Sequence, residues 1–253
     1  MEEIMTKIIF FFENNNKGDY VNVLANSDLV PGAIVSQNAG STNLGIYYQV
    51  GGGGLNGVFA QALGTQVAGV NVELKEAYDA KFGDGSWVRD SRTPPSPLPL
   101  TSLLVAVSPS AHVGQNCIGM MYSVGPMLTA KGLIPSESSR YTQIYDDAMS
   151  AIAQSDKKID GFRLMMLSSG IYRGGAPIVP FANDAAACII DAVCTAVKAQ
   201  PQKLGQLAIL INTNANAQFP KELKGFTNAA KAHDADFFSE NGKQGFSITL
   251  KSG

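Results

Sequence analysis

Histidine is nearly missing from this sequence. Only His112 and His233 occur in 253 residues, which excludes a histidine-rich metal centre. Cysteine is scarce too: Cys117, Cys188 and Cys194 form an odd set in apolar or helical surroundings. That context suits reduced core thiols better than a disulfide framework. Charged residues make up 16% of the chain and the net charge is −2, so no basic field is available to hold nucleic acid. No apolar run approaches the roughly 20 residues that cross a bilayer. The first seven residues carry two glutamates and no signal-peptide pattern. We therefore expect a cytoplasmic or otherwise intracellular protein with no membrane contact, although secretion without a cleaved signal leaves no trace in sequence. Oligomeric state has no signature in the composition. What is abundant is apolar residues, 45% of the chain, enough to bury a sizeable core.

The chain is organised around Val50-Gly51-Gly52-Gly53-Gly54-Leu55-Asn56-Gly57. Four consecutive glycines lose too much backbone entropy to sit inside a helix or strand. Val58, Phe59, Ala62 and Leu63 then fall at helical spacing. A glycine run that opens into a helix is either a surface loop or a place where bare N–H groups face an anion. No Lys-Ser or Lys-Thr follows, which rules out a Walker-type loop, and the dinucleotide-binding fingerprint is also missing.

Around this run, apolar segments alternate with amphipathic ones. Strands are expected at 8–12, 20–25, 102–107, 118–124, 162–167 and 207–212, with an edge strand at 246–250. Helices are expected at about 55–78 (with a break near Gly69), 137–154, 183–199 (with Asn183 as N-cap) and 221–231. Tyr141, Ile144, Tyr145, Ala148, Met149 and Ile152 mark the buried stripe of the second helix. Residues 30–50 read as an insertion or lid, and those after about 232 as a short C-terminal extension. The pattern implies one α/β domain over 1–253, with a mixed, mostly parallel sheet and helices on both faces. Ligands in such sheets bind beyond the carboxyl ends of the strands. Asn26-Ser27, Ser168–Gly175 and Asn212–Asn214 are the polar clusters expected there.

With these residues in view the chain resembles the macro domain, a three-layer α/β fold that binds ADP-ribose. Leu24-Ala25-Asn26-Ser27-Asp28-Leu29 resembles that family's strand end before the first ligand loop. Gly51 to Gly57 resembles its glycine-rich loop, and Ala62-Leu63-Gly64 the stop that follows. Tyr122-Ser123-Val124-Gly125-Pro126 resembles its strand ending in Val-Gly-Pro. Ser168-Ser169-Gly170-Ile171-Tyr172 resembles the second ligand loop, whose amides wrap the diphosphate. The glycine segment is also similar to that of the poly(ADP-ribose) glycohydrolase-like branch, where Ala-Gln-Glu-Glu follows. Here Ala60-Gln61 is followed by Ala62-Leu63, so the two glutamates are missing. In the mono-ADP-ribosyl hydrolase branch an aspartate usually precedes the glycine; Asn56 stands there in this chain.

The resemblance implies a ligand site of Gly52, Gly53, Gly54, Leu55, Gly57, Ser168, Ser169, Gly170, Ile171, Tyr172 and Phe219. Backbone amides would bind the diphosphate without a basic side chain. Asn26 would orient the distal ribose, although a turn-forming asparagine accounts for it as well. Asn56 would hold ribose or water, but an amide is no general base. Asp28 is the carboxylate next to the first ligand loop and the candidate for activating water. Asp184 suits a helix first turn by dipole stabilisation alone, and Asp191 reads as solvated. Phe219 either stacks on adenine or anchors its helix, and Tyr172 either covers ribose or is a half-buried loop aromatic. The expected partner is ADP-ribose or an ADP-ribosylated protein, with no metal and no cofactor. Two functions stay open: hydrolysis of ADP-ribose from a modified protein, or non-catalytic reading of the modification.

Overall fold

A computed structural model describes residues 5–14, 27–40, 47–51, 54–83, 101–110, 113–169, 171–213 and 219–251. Eight strands form one sheet: β1 (Met5–Asn14), β2 (Ile34–Ala39), β3 (Ser102–Ala106), β4 (Cys117–Ser123), β5 (Gly161–Leu164), β6 (Ala208–Thr213), β7 (Asp236–Glu240) and β8 (Lys243–Lys251). Their order is β3-β4-β2-β5-β6-β1-β8-β7. The five central strands are parallel, and β3, β8 and β7 join antiparallel at the edges. The helices are α1 (Gly54–Leu63), α2 (Val67–Phe82), α3 (Pro135–Gln154), α4 (Ile178–Ala199), the single turn α5 (Pro201–Leu204) and α6 (Phe219–Ala232). α1 and α2 cover one face of the sheet; α3, α4 and α6 pack together on the other.

The periodicity of α3 holds in three dimensions. Tyr141, Ile144, Tyr145, Ala148 and Met149 are fully buried and Ile152 nearly so. α4 begins at Ile178, five residues before Asn183, which therefore lies inside the helix and not at its cap. Pro180 falls in the first turn, where a missing N–H costs nothing. α4 is long and apolar enough to cross a membrane by length and composition, which the scan for apolar runs overlooked. Here it packs between α3 and α6. The break in the first helical segment falls at Gly64, whose φ of +55° interrupts the α-helix, and not at Gly69.

Two expectations fail. Residues 34–39, read as part of an insertion or lid, form β2 in the middle of the sheet, between β4 and β5. Ser36, Gln37 and Asn38 are polar yet fully buried there. Gln37 is satisfied on the α3 side: its Nε2 donates to Ser123 Oγ at 2.9 Å and its Oε1 accepts the Met165 N–H at 3.0 Å. The C-terminal residues are no appendage either. β8 pairs along β1, and β7 is the true edge strand. Asn241 and Gly242 turn the hairpin with φ of 51° and 77°, the left-handed pair that two-residue hairpins require. The strand expected at 20–25 lies outside the described residues.

Candidate functional site

The connection leaving β2 runs over one face of the sheet, and those leaving β4 and β5 run over the other. The carboxyl ends of these strands are therefore a topological switch point, the place where open α/β sheets bind ligands. The rim there can be traced contact by contact. The first turn of α1 carries Asn56, whose Nδ2 lies 3.5 Å from the Tyr122 hydroxyl near the end of β4. The Gly40 amide, just past β2, donates to the Ser123 carbonyl at 2.6 Å. The next turn of chain brings Gly125 against Leu167 and Ser168. Ser168 adopts φ of 61° and donates its hydroxyl to the Pro126 carbonyl at 2.7 Å. The Leu128 amide then donates to the Tyr172 carbonyl at 2.7 Å. The glycine-opened helix and the loops after β4 and β5 are thus tied into one rim.

The loop after β5 is also held from below. Tyr145 Oη donates to the Met165 carbonyl at 2.7 Å and accepts the Leu167 amide at 3.2 Å. Tyr141 Oη donates to the Leu167 carbonyl at 2.9 Å. Complete burial keeps both phenols well above their ordinary range, so they stay neutral donors.

The expected site residues fall out unevenly. Ser168 and Ser169 stand on the rim, Tyr172 is half-buried beside them, and Ile171 begins the turn 171–173. Gly54, Leu55 and Gly57 make the first turn of α1, with Leu55 packed against the core. Phe219 is the first residue of α6. Asn26, Gly52, Gly53 and Gly170 lie outside the described residues. Asn56 is already employed: its Oδ1 accepts the Gln49 amide at 2.8 Å and its Nδ2 donates to the Tyr47 carbonyl at 3.0 Å. It clamps residues 47–49 onto α1. Asp28 is exposed, and the chain from it runs to Val30 and Gly32, whose carbonyls bind Asn116 at the amino end of β4. Its neighbour Ser27 donates to Glu13 near the carboxyl end of β1, so the chain at Asp28 passes from that end of the sheet toward the other. Asp191 is exposed and paired with His233 at 3.0 Å. Burial raises the Asp184 carboxyl above its ordinary value. Ala62 and Leu63 are in the core, so no carboxylate stands on that turn of α1.

Reasoning from sequence missed Asn38. It lies one residue before the end of β2, on the α1 face, fully buried and level with Tyr122. Among the described residues neither its Oδ1 nor its Nδ2 makes a well-formed hydrogen bond, and the Tyr48 hydroxyl beside it is its one polar neighbour, at best a weak partner. Leaving a buried polar group unsatisfied costs about 1–3 kcal/mol. An amide kept under that cost at a strand's carboxyl end marks a place where a ligand or water completes the bonding. The signal available in sequence was the short apolar run Ala33-Ile34-Val35 followed by Asn38, with the glycine run close behind.

Behind this rim lies a buried ion pair. Arg163 on β5 donates from Nε to Glu13 Oε2 at 2.6 Å and from Nη2 to Oε1 at 3.1 Å, reaching across β6. The Ser27 hydroxyl donates to the same carboxylate at 2.8 Å. Ser36 accepts from Arg163 Nη1 at 3.2 Å. Among the described residues no group of His, Cys, Asp and Glu is placed to hold a metal ion.

Solved structures share this architecture. A point variant of the Oceanobacillus iheyensis macrodomain matches 92% of this chain over 96% of its own length, with a TM-score of 0.55 and 14% identity. This chain has the macrodomain fold. The Oceanobacillus iheyensis macrodomain with ADP matches 90% of this chain over 99% of its own, with a TM-score of 0.51 and 16% identity. A second variant of that macrodomain, with ADPR, covers 83% of this chain at a TM-score of 0.50 and 13% identity. No protein-family model matches the sequence, and no curated protein does. At such identity the macrodomain likeness speaks for the arrangement of strands and helices, and the chemistry must be argued from this chain's own residues.

Proposed function

We propose that this chain binds ADP-ribose at the carboxyl rim of β2, β4 and β5. The observation that carries the reading is the convergence of the glycine-opened first turn of α1 with the Ser168 loop, joined through Tyr122, Ser123 and Gly125. Backbone amides from two such loops hold a diphosphate without a cationic side chain. The solved relatives with ADP and ADPR support the choice of ligand. Asn38, with its open amide, takes the ribose-orienting role first assigned to Asn26.

Hydrolysis is the finer question. The mono-ADP-ribosyl branch resembled above carries an acid where Asn56 stands, and the glycohydrolase-like branch carries glutamates where Ala62 and Leu63 are buried. Losing a general base costs about 10² to 10⁴ in rate. We therefore propose slow release of ADP-ribose from mono-modified protein and none from poly(ADP-ribose). Engagement of both ends of the Asn56 amide favours a second reading, a reader of modified proteins without turnover.

Calorimetric titration with ADP-ribose beside AMP tests the binding. We expect a micromolar Kd, about −8 kcal/mol, and weaker AMP. Gly170→Glu should abolish the heat while leaving the circular dichroism intact. Equal affinity for AMP, or no heat at all, defeats the proposal. Release of ADP-ribose from Glu-, Arg- and Ser-linked substrates then separates slow hydrolase from reader.

A further inference from the structure

A run of glycines is costly to order, because glycine loses more backbone freedom than any other residue. Here the chain entering the run is also exposed: Gln49, Val50 and Gly51 face solvent, and Val50 is 68% exposed. Side-chain burial therefore does not hold residues 49–51. Hydrogen bonds hold the strap 47–49 instead. Asn56, in the first turn of α1, accepts the Gln49 amide at 2.8 Å and donates to the Tyr47 carbonyl at 3.0 Å. Gln49 and Asn56 flank the whole run, so the first of these bonds closes residues 49–56 into a loop. Asn71, half-buried on α2, takes the residue between. Its Oδ1 accepts the Tyr48 amide at 2.7 Å, and its Nδ2 donates to the Tyr48 carbonyl at 3.1 Å. One carboxamide thus pairs with both backbone polar groups of residue 48, as a neighbouring strand would. The Tyr122 hydroxyl adds a bond to the Tyr47 carbonyl at 3.2 Å. Beneath the strap the Tyr48 ring is 1% exposed, its centroid 6.5 Å from that of Phe59 on α1 and 5.1 Å from that of Tyr122 on β4.

We propose that Asn71 is a positioning residue for the diphosphate site: with Asn56 it holds residues 47–49 as a strap, and the strap fixes the course of the glycine run before any ligand arrives. The inference rests on the ADP-ribose reading of the site. Asn71 makes its two bonds to the strap, so it acts on the rim only through Tyr48. A glycine run left free would have to be ordered by the ligand, and that ordering is subtracted from affinity. A loop tethered at both ends has already lost part of this freedom. The strap also gives a reason for an amide at position 56, where the mono-ADP-ribosyl hydrolase branch carries an acid. An ionised carboxylate could accept from Gln49 but could not donate to the Tyr47 carbonyl.

Hydrogen exchange on the ligand-free full chain reads the strap, and titration calorimetry reads its effect on binding. In Asn71→Ala the amides of 47–51 and 54–57 should exchange about ten-fold faster, with those of Ser168, Ser169 and Tyr172 unchanged. ADP-ribose affinity should fall about ten-fold, the effect of two lost hydrogen bonds. AMP, which lacks the second phosphate, should change by less than about two-fold. Asn71→Asp keeps the bond from the Tyr48 amide and loses the other, so its affinity should fall about three-fold. It carries the test if Asn71→Ala melts without a cooperative transition. Unchanged ADP-ribose affinity in the variants overturns the positioning role, whatever the exchange rates. Equal losses for ADP-ribose and AMP overturn it too, because a merely structural defect weakens both ligands alike. Unchanged exchange at 47–51 overturns the strap itself. No binding of ADP-ribose by the wild type defeats the ADP-ribose reading and the positioning role with it, and the exchange rates then judge the strap alone.

Discussion

Removing Glu13 should expose how much the buried ion pair matters. Arg163 is 4% and Glu13 8% exposed in their side chains, and the contact is bidentate. Glu13→Ala takes away the carboxylate that two guanidinium nitrogens and the Ser27 hydroxyl donate to. Breaking one partner of a buried pair costs about 3–5 kcal/mol, because a desolvated charge is left behind. The lost Ser27 bond adds about 1 kcal/mol. Against a usual total of about 5–15 kcal/mol, the variant folds but is marginal, and its Tm should drop by about 8–24 °C. Replacing both partners, as Glu13→Leu with Arg163→Met, removes the charges together and should recover most of the loss. Urea titrations of the two singles and the double complete the cycle. A Glu13→Ala cost below about 1 kcal/mol, or a double variant no better than the sum of the singles, would refute the reasoning. Ser27→Ala, which loses one hydrogen bond and no charge, should cost about 1 kcal/mol.

Two further outcomes bear on the rim. Gly125→Ala places a methyl 2.7 Å from Ser168 Oγ and 3.1 Å from Leu167 Cβ. It should cost about 1–3 kcal/mol and weaken ADP-ribose, measured by melting and calorimetry; an unchanged affinity would separate the loops after β4 and β5 functionally. Asn38→Ala removes an unsatisfied buried amide, so stability should stay level or rise by up to about 1–3 kcal/mol, while ADP-ribose affinity falls at least ten-fold. Unaltered affinity would show that Asn38 has no ligand to meet.

Much of the architecture was legible because its signals are local. The stripe of α3 is a matter of 3.6-residue spacing, and it buried the residues that spacing named. The apolar runs of β1, β3, β4 and β6 have no other place to go than a covered sheet. The hairpin of β7 and β8 was readable too, since Asn-Gly between strands is a turn signal, but it was passed over. The run Ser168-Ser169 marked the rim from sequence.

β2 could not be read in the same way. Ser36, Gln37 and Asn38 carry the polarity of a loop, and only neighbours distant in the chain make their burial possible. Ser123 and the Met165 amide satisfy Gln37, and Arg163 satisfies Ser36. Those partners come from β4, from β5 and from the residue that follows β5, more than 80 residues away. Glu222 is the same lesson with a charge. Composition and spacing determine that a helix begins there and that an acid suits its first turn. Only the packing of α6 on α4 decides that this acid leaves water, because desolvation depends on what covers a residue and not on what precedes it.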